Sequence, residues 1–92
     1  MAAYLIGHVT VKNEKLWQEY VAGVKISLDP YLSKIIFRGP LVSVITGDHA
    51  YDSAVVIEFS DQSTLDNWYT SDKYQSLIPI RDKAADIVIM TY

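Results

Sequence analysis

Hydrophobic and polar residues alternate along two stretches of the chain, which is typical of β-strands with one buried face. In a strand over residues 3–12, one face would carry Leu5, Gly7, Val9 and Val11, and the other would carry Tyr4, Ile6, His8 and Thr10. In a strand over residues 53–60, one face would carry Val55, Ile57 and Phe59, and the other would carry Ala54, Val56 and Glu58. Because these are the longest alternating runs, we expect them to form the centre of a sheet.

A helix is predicted directly after the first strand. Asn13 is a suitable N-cap, Glu14 suits the positive end of the helix, and Asp29-Pro30 ends it. Gly23 lowers helix stability by about 1 kcal/mol relative to alanine, so we expect close packing against the sheet there. The apolar stripe of this helix consists of Trp17, Tyr20, Val21, Val24 and Leu28.

Two β-rich runs, 34–38 and 41–46, flank Gly39-Pro40 and predict a hairpin with its turn at that dipeptide. Residues 47–52 predict a polar loop. The remaining elements are helical turns that start at Ser60-Asp61, Ser71-Asp72 and Pro79, and a final strand over 87–92 that is apolar on both faces.

This order of elements predicts an α+β fold, a ferredoxin-like split β-α-β arrangement with an antiparallel sheet, as one domain over residues 1–92. Both crossover helices should lie on the same face of the sheet. We expect the helix-facing side to hold Leu5, Gly7, Val9 and Val11 of the first strand with Val55, Ile57 and Phe59 of the second central one. The other face is largely apolar, and nothing in the chain is left to cover it. We therefore expect a homodimer through the sheet faces, a dimeric α+β barrel. The alternative is a monomer whose second sheet face is half exposed to water.

Composition and charge narrow the classes of function. The chain has no cysteine, which excludes disulfides, thiolate metal sites and a cysteine nucleophile. The net charge is −3 and the basic residues are scattered, so no nucleic-acid partner is expected. The start of the sequence does not resemble a signal peptide, and no apolar run is long enough to span a membrane. We expect a cytoplasmic protein without a membrane partner.

Four short segments carry a resemblance to a known family. They are residues 34–39 (KIIFRG), 55–60 (VVIEFS), 68–75 (WYTSDKYQ) and 80–82 (IRD). Taken together and in this order, they resemble the family known as domain of unknown function 1330, over nearly the whole chain. Pro40 departs from the glycine expected after Arg38-Gly39.

The resemblance implies a dimeric α+β barrel in which two ferredoxin-like subunits press their sheets together. It implies no established activity and supplies no catalytic residues. The wider superfamily includes cofactor-independent quinol monooxygenases, muconolactone isomerases, haem peroxidases and ligand-sensing domains. A shared fold at that distance does not determine function.

His8 and Glu58 are the candidate catalytic pair. Strand phase puts both on the sheet face away from the helices, where a carboxylate beside an imidazole could act as a general base. The alternative is a hydrogen-bonded polar pair with a structural role only.

Four other residues are candidate ligand-binding groups. Arg38 and Arg81 could clamp an anionic ligand, since a guanidinium matches a carboxylate; alternatively, Arg81 pairs with Asp82 or Asp86 and Arg38 lies at the sheet rim. Trp68 and Tyr74, with the other helical aromatic residues, could line a pocket for a flat molecule or simply form the core. Ser71 is interpreted as a helix cap.

No metal or other cofactor is expected, because His8 and His49 lie far apart and no residue cluster has metal-ligand spacing. Two functions remain open. One is a cofactor-independent enzyme acting on a small hydrophobic or aromatic metabolite. The other is a non-catalytic module that binds a small molecule or a protein partner.

Overall fold

The computed structural model describes all residues from 1 to 92 as four strands and four helices. The elements in chain order are β1 (Ala3–Val11), α1 (Glu14–Leu28), β2 (Ser33–Pro40), β3 (Ser53–Phe59), α2 (Gln62–Tyr69), α3 (Asp72–Gln75), α4 (Ile78–Ala84) and β4 (Ala85–Thr91). The strands form one antiparallel sheet in the order β2-β3-β1-β4. The predicted fold class is confirmed, and so is the central position of β1 and β3.

The helix caps follow the local sequence. The Asn13 side chain accepts a hydrogen bond from the Leu16 amide at 3.1 Å, and Asp61 accepts one from Thr64 at 2.8 Å. Ser71 caps α3 by accepting from the Tyr74 amide at 3.3 Å, as predicted. Each cap satisfies an amide that the helix itself leaves without a partner. None of the helices has the length and apolar composition that a membrane crossing requires.

All helices lie on one face of the sheet, so the molecule has two layers. Its Cα atoms extend over 34 × 31 × 15 Å. Every buried strand residue belongs to the helix-covered face, among them Leu5, Val9, Ile57 and Phe59. These residues pack with Tyr20, Val24, Leu65, Trp68 and Tyr74 into the core. The predicted helix-facing set is therefore correct, and the opposite face has no covering layer within the chain.

The predicted hairpin at Gly39-Pro40 is wrong. Strand β2 continues through both residues, which pair with Ala54 and Ser53 of β3. Residues 41–52 are a long connection, and 41–46 form no strand. Strand β2 lies at the edge of the sheet and has no neighbouring strand on its outer side. Proline lacks an N–H group, but at this edge no sheet hydrogen bond is lost. The true hairpin joins β2 to β3.

The packing partner predicted for Gly23 is also wrong. A side-chain Cβ at this position would lie 2.5 Å from Cδ2 of Leu77, so the close contact is with the segment between α3 and α4. The glycine therefore lets α1 approach the last helices closely, and the sheet is not its neighbour.

Candidate functional site

An apolar cavity lies between α1 and the helix-covered face of the sheet. The space in it that a water-sized molecule could occupy is about 30 Å³, within a depression of about 440 Å³ that includes open solvent. Eleven of its thirteen lining residues are hydrophobic, and the other two are Gly7 and Arg38. Concave, mostly apolar sites with few polar groups are typical of small-molecule binding sites.

Aromatic residues form the helical wall of the cavity. The rings of Trp17 and Tyr20 stack with their centroids 5.2 Å apart, and Trp68 lies against Tyr74 with a centroid distance of 4.4 Å. Trp68 is fixed from behind, because its indole N–H donates to the buried Ser27 hydroxyl at 2.9 Å. Ser27 in turn donates to the Val24 carbonyl at 2.7 Å. The wall is therefore held in one arrangement by hydrogen bonds as well as by packing.

A chain of hydrogen bonds runs from Arg81 to the cavity wall. The Arg81 guanidinium donates to the Tyr74 phenol oxygen at 3.1 Å, and the Tyr74 and Tyr20 hydroxyls lie 2.9 Å apart. A phenol has a single proton to donate. The Tyr20–Tyr74 contact uses the proton of one phenol, and no protein group accepts the proton of the other. Both residues belong to the cavity lining, and the second proton is left without an acceptor in the protein.

Burial, reinforced by the neighbouring Tyr74 phenol, raises the pKa of Tyr20 far above its ordinary value. The phenol therefore stays protonated at neutral pH. It can act in the cavity as a hydrogen-bond donor, and it cannot act there as a base.

The structure brings three of the predicted ligand-binding residues together. Arg38, Trp68 and Tyr74 all line this cavity, and Arg81 supports Tyr74 from behind. Arg81 also pairs with Asp82 at 3.2 Å, one of the alternatives left open by the sequence. Asp86 pairs instead with Lys12, at 3.3 Å.

Arg38 points into the helix-covered layer because of a β-bulge. The pairing of β2 with β3 shifts between Ile35 and Phe37, so that Phe37 lies opposite Val56 and Arg38 lies opposite Val55. Uninterrupted alternation from Ile35 would have put Arg38 on the other face. Bulges commonly redirect a side chain near a functional site.

His8 and Glu58 lie on the open face, as strand phase predicts, but they are not adjacent. His8 is opposite Ala54 and Glu58 is opposite Tyr4, so they are four residues apart along β1, which corresponds to roughly 13 Å. The Tyr4 hydroxyl donates to the Glu58 carboxylate at 2.8 Å. Within one chain the two residues therefore cannot exchange a proton directly, and the sheet separates them from the cavity.

The ring of His8 lies among side chains from the connection between β2 and β3. The His8 and His49 ring centroids are 4.9 Å apart, and that of Tyr51 is 6.4 Å from His8. The sequence did not predict this contact, because the two histidines are far apart along the chain. No group of three or more His, Asp or Glu side chains is placed to hold a metal ion.

Gly7 is a site residue that the sequence reasoning did not single out. It is buried in the middle of the central strand β1 and lines the cavity. A Cβ there would meet Cγ1 of Val55 at 3.1 Å. A glycine inside a strand often marks a bulge or a close approach of another group, and the pairing of β1 with both neighbours is regular at this point. The signal in the sequence was a glycine at a position where the alternation of the strand calls for a buried apolar side chain.

Solved structures of the same fold include proteins of unknown function and an enzyme. A protein of unknown function from Rhodopseudomonas palustris is 12% identical, with 99% of this chain and 80% of that chain covered and a TM-score of 0.84. A dimeric ferredoxin-like protein of unknown function from Jannaschia sp. is 14% identical, with coverage of 100% and 98% and a TM-score of 0.73. SnoaB, a cofactor-independent oxygenase from Streptomyces nogalater, is 9% identical, with coverage of 99% and 90% and a TM-score of 0.70. At these identities the likeness shows the fold alone.

Sequence comparison identifies the family of the chain, which these structures do not. No curated protein matches it significantly. A family match, in contrast, extends over residues 2–91, nearly the whole chain, and agrees with the resemblance found in the four segments. The chain belongs to the family described as domain of unknown function (DUF1330).

Proposed function

We propose that this protein binds a small hydrophobic or aromatic molecule in the cavity between α1 and the sheet. The observation that carries the proposal is an apolar cavity with one phenolic proton at its wall that no protein group accepts. Buried polar groups in proteins nearly always have a hydrogen-bond partner. A ligand with an apolar body and one acceptor atom would supply it.

The active form in this proposal is a homodimer joined through the open sheet faces. The layer of helices covers one face only, and the open one carries partly exposed apolar residues such as Ile6, Val56 and Val88. A second copy would cover this face by a two-fold arrangement. The Jannaschia protein of the same fold is described as dimeric, which supports the same assembly.

A cofactor-independent enzyme acting on the bound molecule is the second candidate. The Arg81–Tyr74–Tyr20 chain favours it, because a protonated phenol backed by a guanidinium can stabilise negative charge that develops on a substrate oxygen. The cavity itself offers no carboxylate or imidazole as a base. SnoaB, of the same fold, is a cofactor-independent oxygenase, which supports this candidate at the level of fold alone.

Intrinsic fluorescence tests the binding proposal directly. The chain has two tryptophans, Trp17 and Trp68, and both line the cavity, so a ligand there should change their emission. Gly7→Ala places a methyl group in the cavity and should weaken binding about tenfold or more, since one methylene can change the affinity of a fitted pocket that much.

Gly39→Ala is the matched control. Its added Cβ also meets a neighbour at 3.1 Å, here the Phe37 ring, but Gly39 is outside the cavity lining. Ligand affinity should remain unchanged in this variant. Equal weakening by both substitutions would refute the cavity as the site. Mass spectrometry of the recovered ligand then separates the two candidate functions, because an enzyme returns product and a binding module returns the ligand unaltered.

A further inference from the structure

The cavity has one charged residue in its lining, and that residue has no partner in the protein. Arg38 makes no salt bridge and no side-chain hydrogen bond, whereas Arg81 makes both. The net charge of the chain is −3, so the protein as a whole does not attract anions. The Arg38 guanidinium is therefore the one charged group of the lining that is available to pair with an anion.

The backbone is shaped to direct this residue toward the cavity. The bulge between Ile35 and Phe37 reverses the phase of β2, and it moves Arg38 from the open face to the helix-covered face. A surface arginine could extend from either face of an edge strand without such a distortion. Although Arg38 is exposed, the bulge therefore determines that its side chain lies on the helix-covered side, at the edge of the cavity.

A single row of residues crosses the sheet beneath the cavity. Arg38 pairs with Val55, Val55 with Gly7, and Gly7 with Ile89. Arg38 and Gly7 are thus two strand spacings apart, roughly 10 Å. Gly7 has no side chain, and the Val55 side chain packs closely beside it, with Cγ1 3.1 Å from where a Cβ would lie. A molecule with a charged group at Arg38 would place its body along this row, over Val55 and toward Gly7.

We propose that the ligand is a small hydrophobic carboxylic acid, an inference that rests on the proposed function. Its carboxylate pairs with the Arg38 guanidinium, and its apolar body lies over Gly7 against Trp17 and Tyr20. A planar guanidinium binds a carboxylate through two parallel hydrogen bonds. A phosphate dianion would require further donors or a second cation to balance its charge, and the lining has no other charged residue.

The experiment compares acids with their neutral amides of equal size. Phenylacetate, cinnamate and naphthoate are titrated beside the corresponding amides, with tryptophan emission as the readout for the wild type, Arg38→Gln and Lys83→Gln. Lys83 is an exposed cation on α4 outside the cavity, so its substitution gives the same change in net charge. Arg38 is exposed and has no partner, so Arg38→Gln should fold normally, which thermal unfolding checks.

At least one acid should bind the wild type about tenfold more tightly than its amide, as expected for a charge-assisted pair. Arg38→Gln should abolish this preference and leave amide affinity unchanged, while Lys83→Gln should retain it. Added salt should weaken acid binding only. Equal affinity of acid and amide in the wild type would overturn the carboxylate proposal and leave the cavity as the site. If neither acids nor amides bind, the proposed function fails and this inference fails with it.

Discussion

The helix-covered face and the open face of the sheet are made from the same four strands, one residue out of phase. The covered face holds every buried strand residue, from Ala3 at the start of β1 to Ala85 at the start of β4. The open face is also rich in apolar residues, yet Tyr4 is 37% exposed and Val88 is 41% exposed. Two faces of similar composition therefore differ in burial: one forms a closed core under the helices, and the other stays partly exposed to solvent. The helix-covered face contains the cavity, and the open face contains His8 and Glu58.

The difference indicates a division of tasks between the faces. On the covered face, polar groups are few and are organised around the cavity, as the Tyr20–Tyr74 contact and the Arg38 guanidinium show. On the open face, polar groups pair with each other across neighbouring strands, as Tyr4 and Glu58 do. In the proposed function, ligand binding belongs to the covered face and assembly to the open face.

The largest expected effect comes from truncating a residue of the covered face. Phe59 is fully buried, so Phe59→Ala should lower the free energy of unfolding by about 3–5 kcal/mol, measured by urea denaturation. Ile26→Ala is the control, because Ile26 lies on α1 with 64% of its surface exposed; we expect a change within about 0.5 kcal/mol. Comparable losses in the two variants would contradict the assignment of the core to this face.

The next prediction concerns the open face. Val56→Asp should dissociate the proposed homodimer, because it would bury an unpaired charge between the two sheets. Light scattering should give about twice the chain mass of 10.4 kDa for the wild type and the single mass for the variant. Val56→Thr keeps the shape without a charge and should remain dimeric. A wild type that is monomeric at micromolar concentration would rule out the sheet-to-sheet assembly.

The smallest effect is a pH dependence specific to the covered face. Because burial raises the pKa of Tyr20 above the usual 10.0, the folded protein keeps the phenolic proton at a pH where the unfolded chain releases it. Stability contributed by this group is therefore complete below pH 10 and falls as the pH rises further. The loss is at most about 1.4 kcal/mol per pH unit.

Tyr20→Phe removes this dependence, so the difference in unfolding free energy between wild type and variant should shrink above pH 10. Tyr92→Phe is the control, because Tyr92 is 66% exposed and should follow the wild type. Parallel curves for wild type and Tyr20→Phe would mean that the Tyr20 phenol ionises in the folded protein.

Sequence reasoning succeeded where the structural signal is local. The period of two in β1 and β3 assigned residues such as Leu5 and Ile57 to the covered face, and the caps Asn13 and Ser71 were identified from their side-chain chemistry. It failed at Gly39-Pro40, because glycine and proline usually indicate a turn but are also accommodated in an edge strand. Whether β2 lies at an edge depends on the order of all the strands.

The candidate site depended more on tertiary structure than the fold did. The side chains of Trp68 and Tyr74 were recognised as possible pocket walls from helical spacing alone. The separation of His8 from Glu58 was not predictable, since strand phase gives the face of a residue and not its partner across the strands. Their register is set by the pairing of β1 with β3 over its whole length.

The sequence by itself determined that this chain forms a two-faced sheet with helices for one face only, because alternation and helical spacing are properties of neighbouring residues. Only the tertiary structure decided what each face contains. The bulge that directs Arg38 to the cavity, and the regular pairing that leaves Gly7 as its floor, arise from hydrogen bonds between strands distant in sequence. No local pattern encodes those bonds, so the proposed binding site became visible only once the strands were paired.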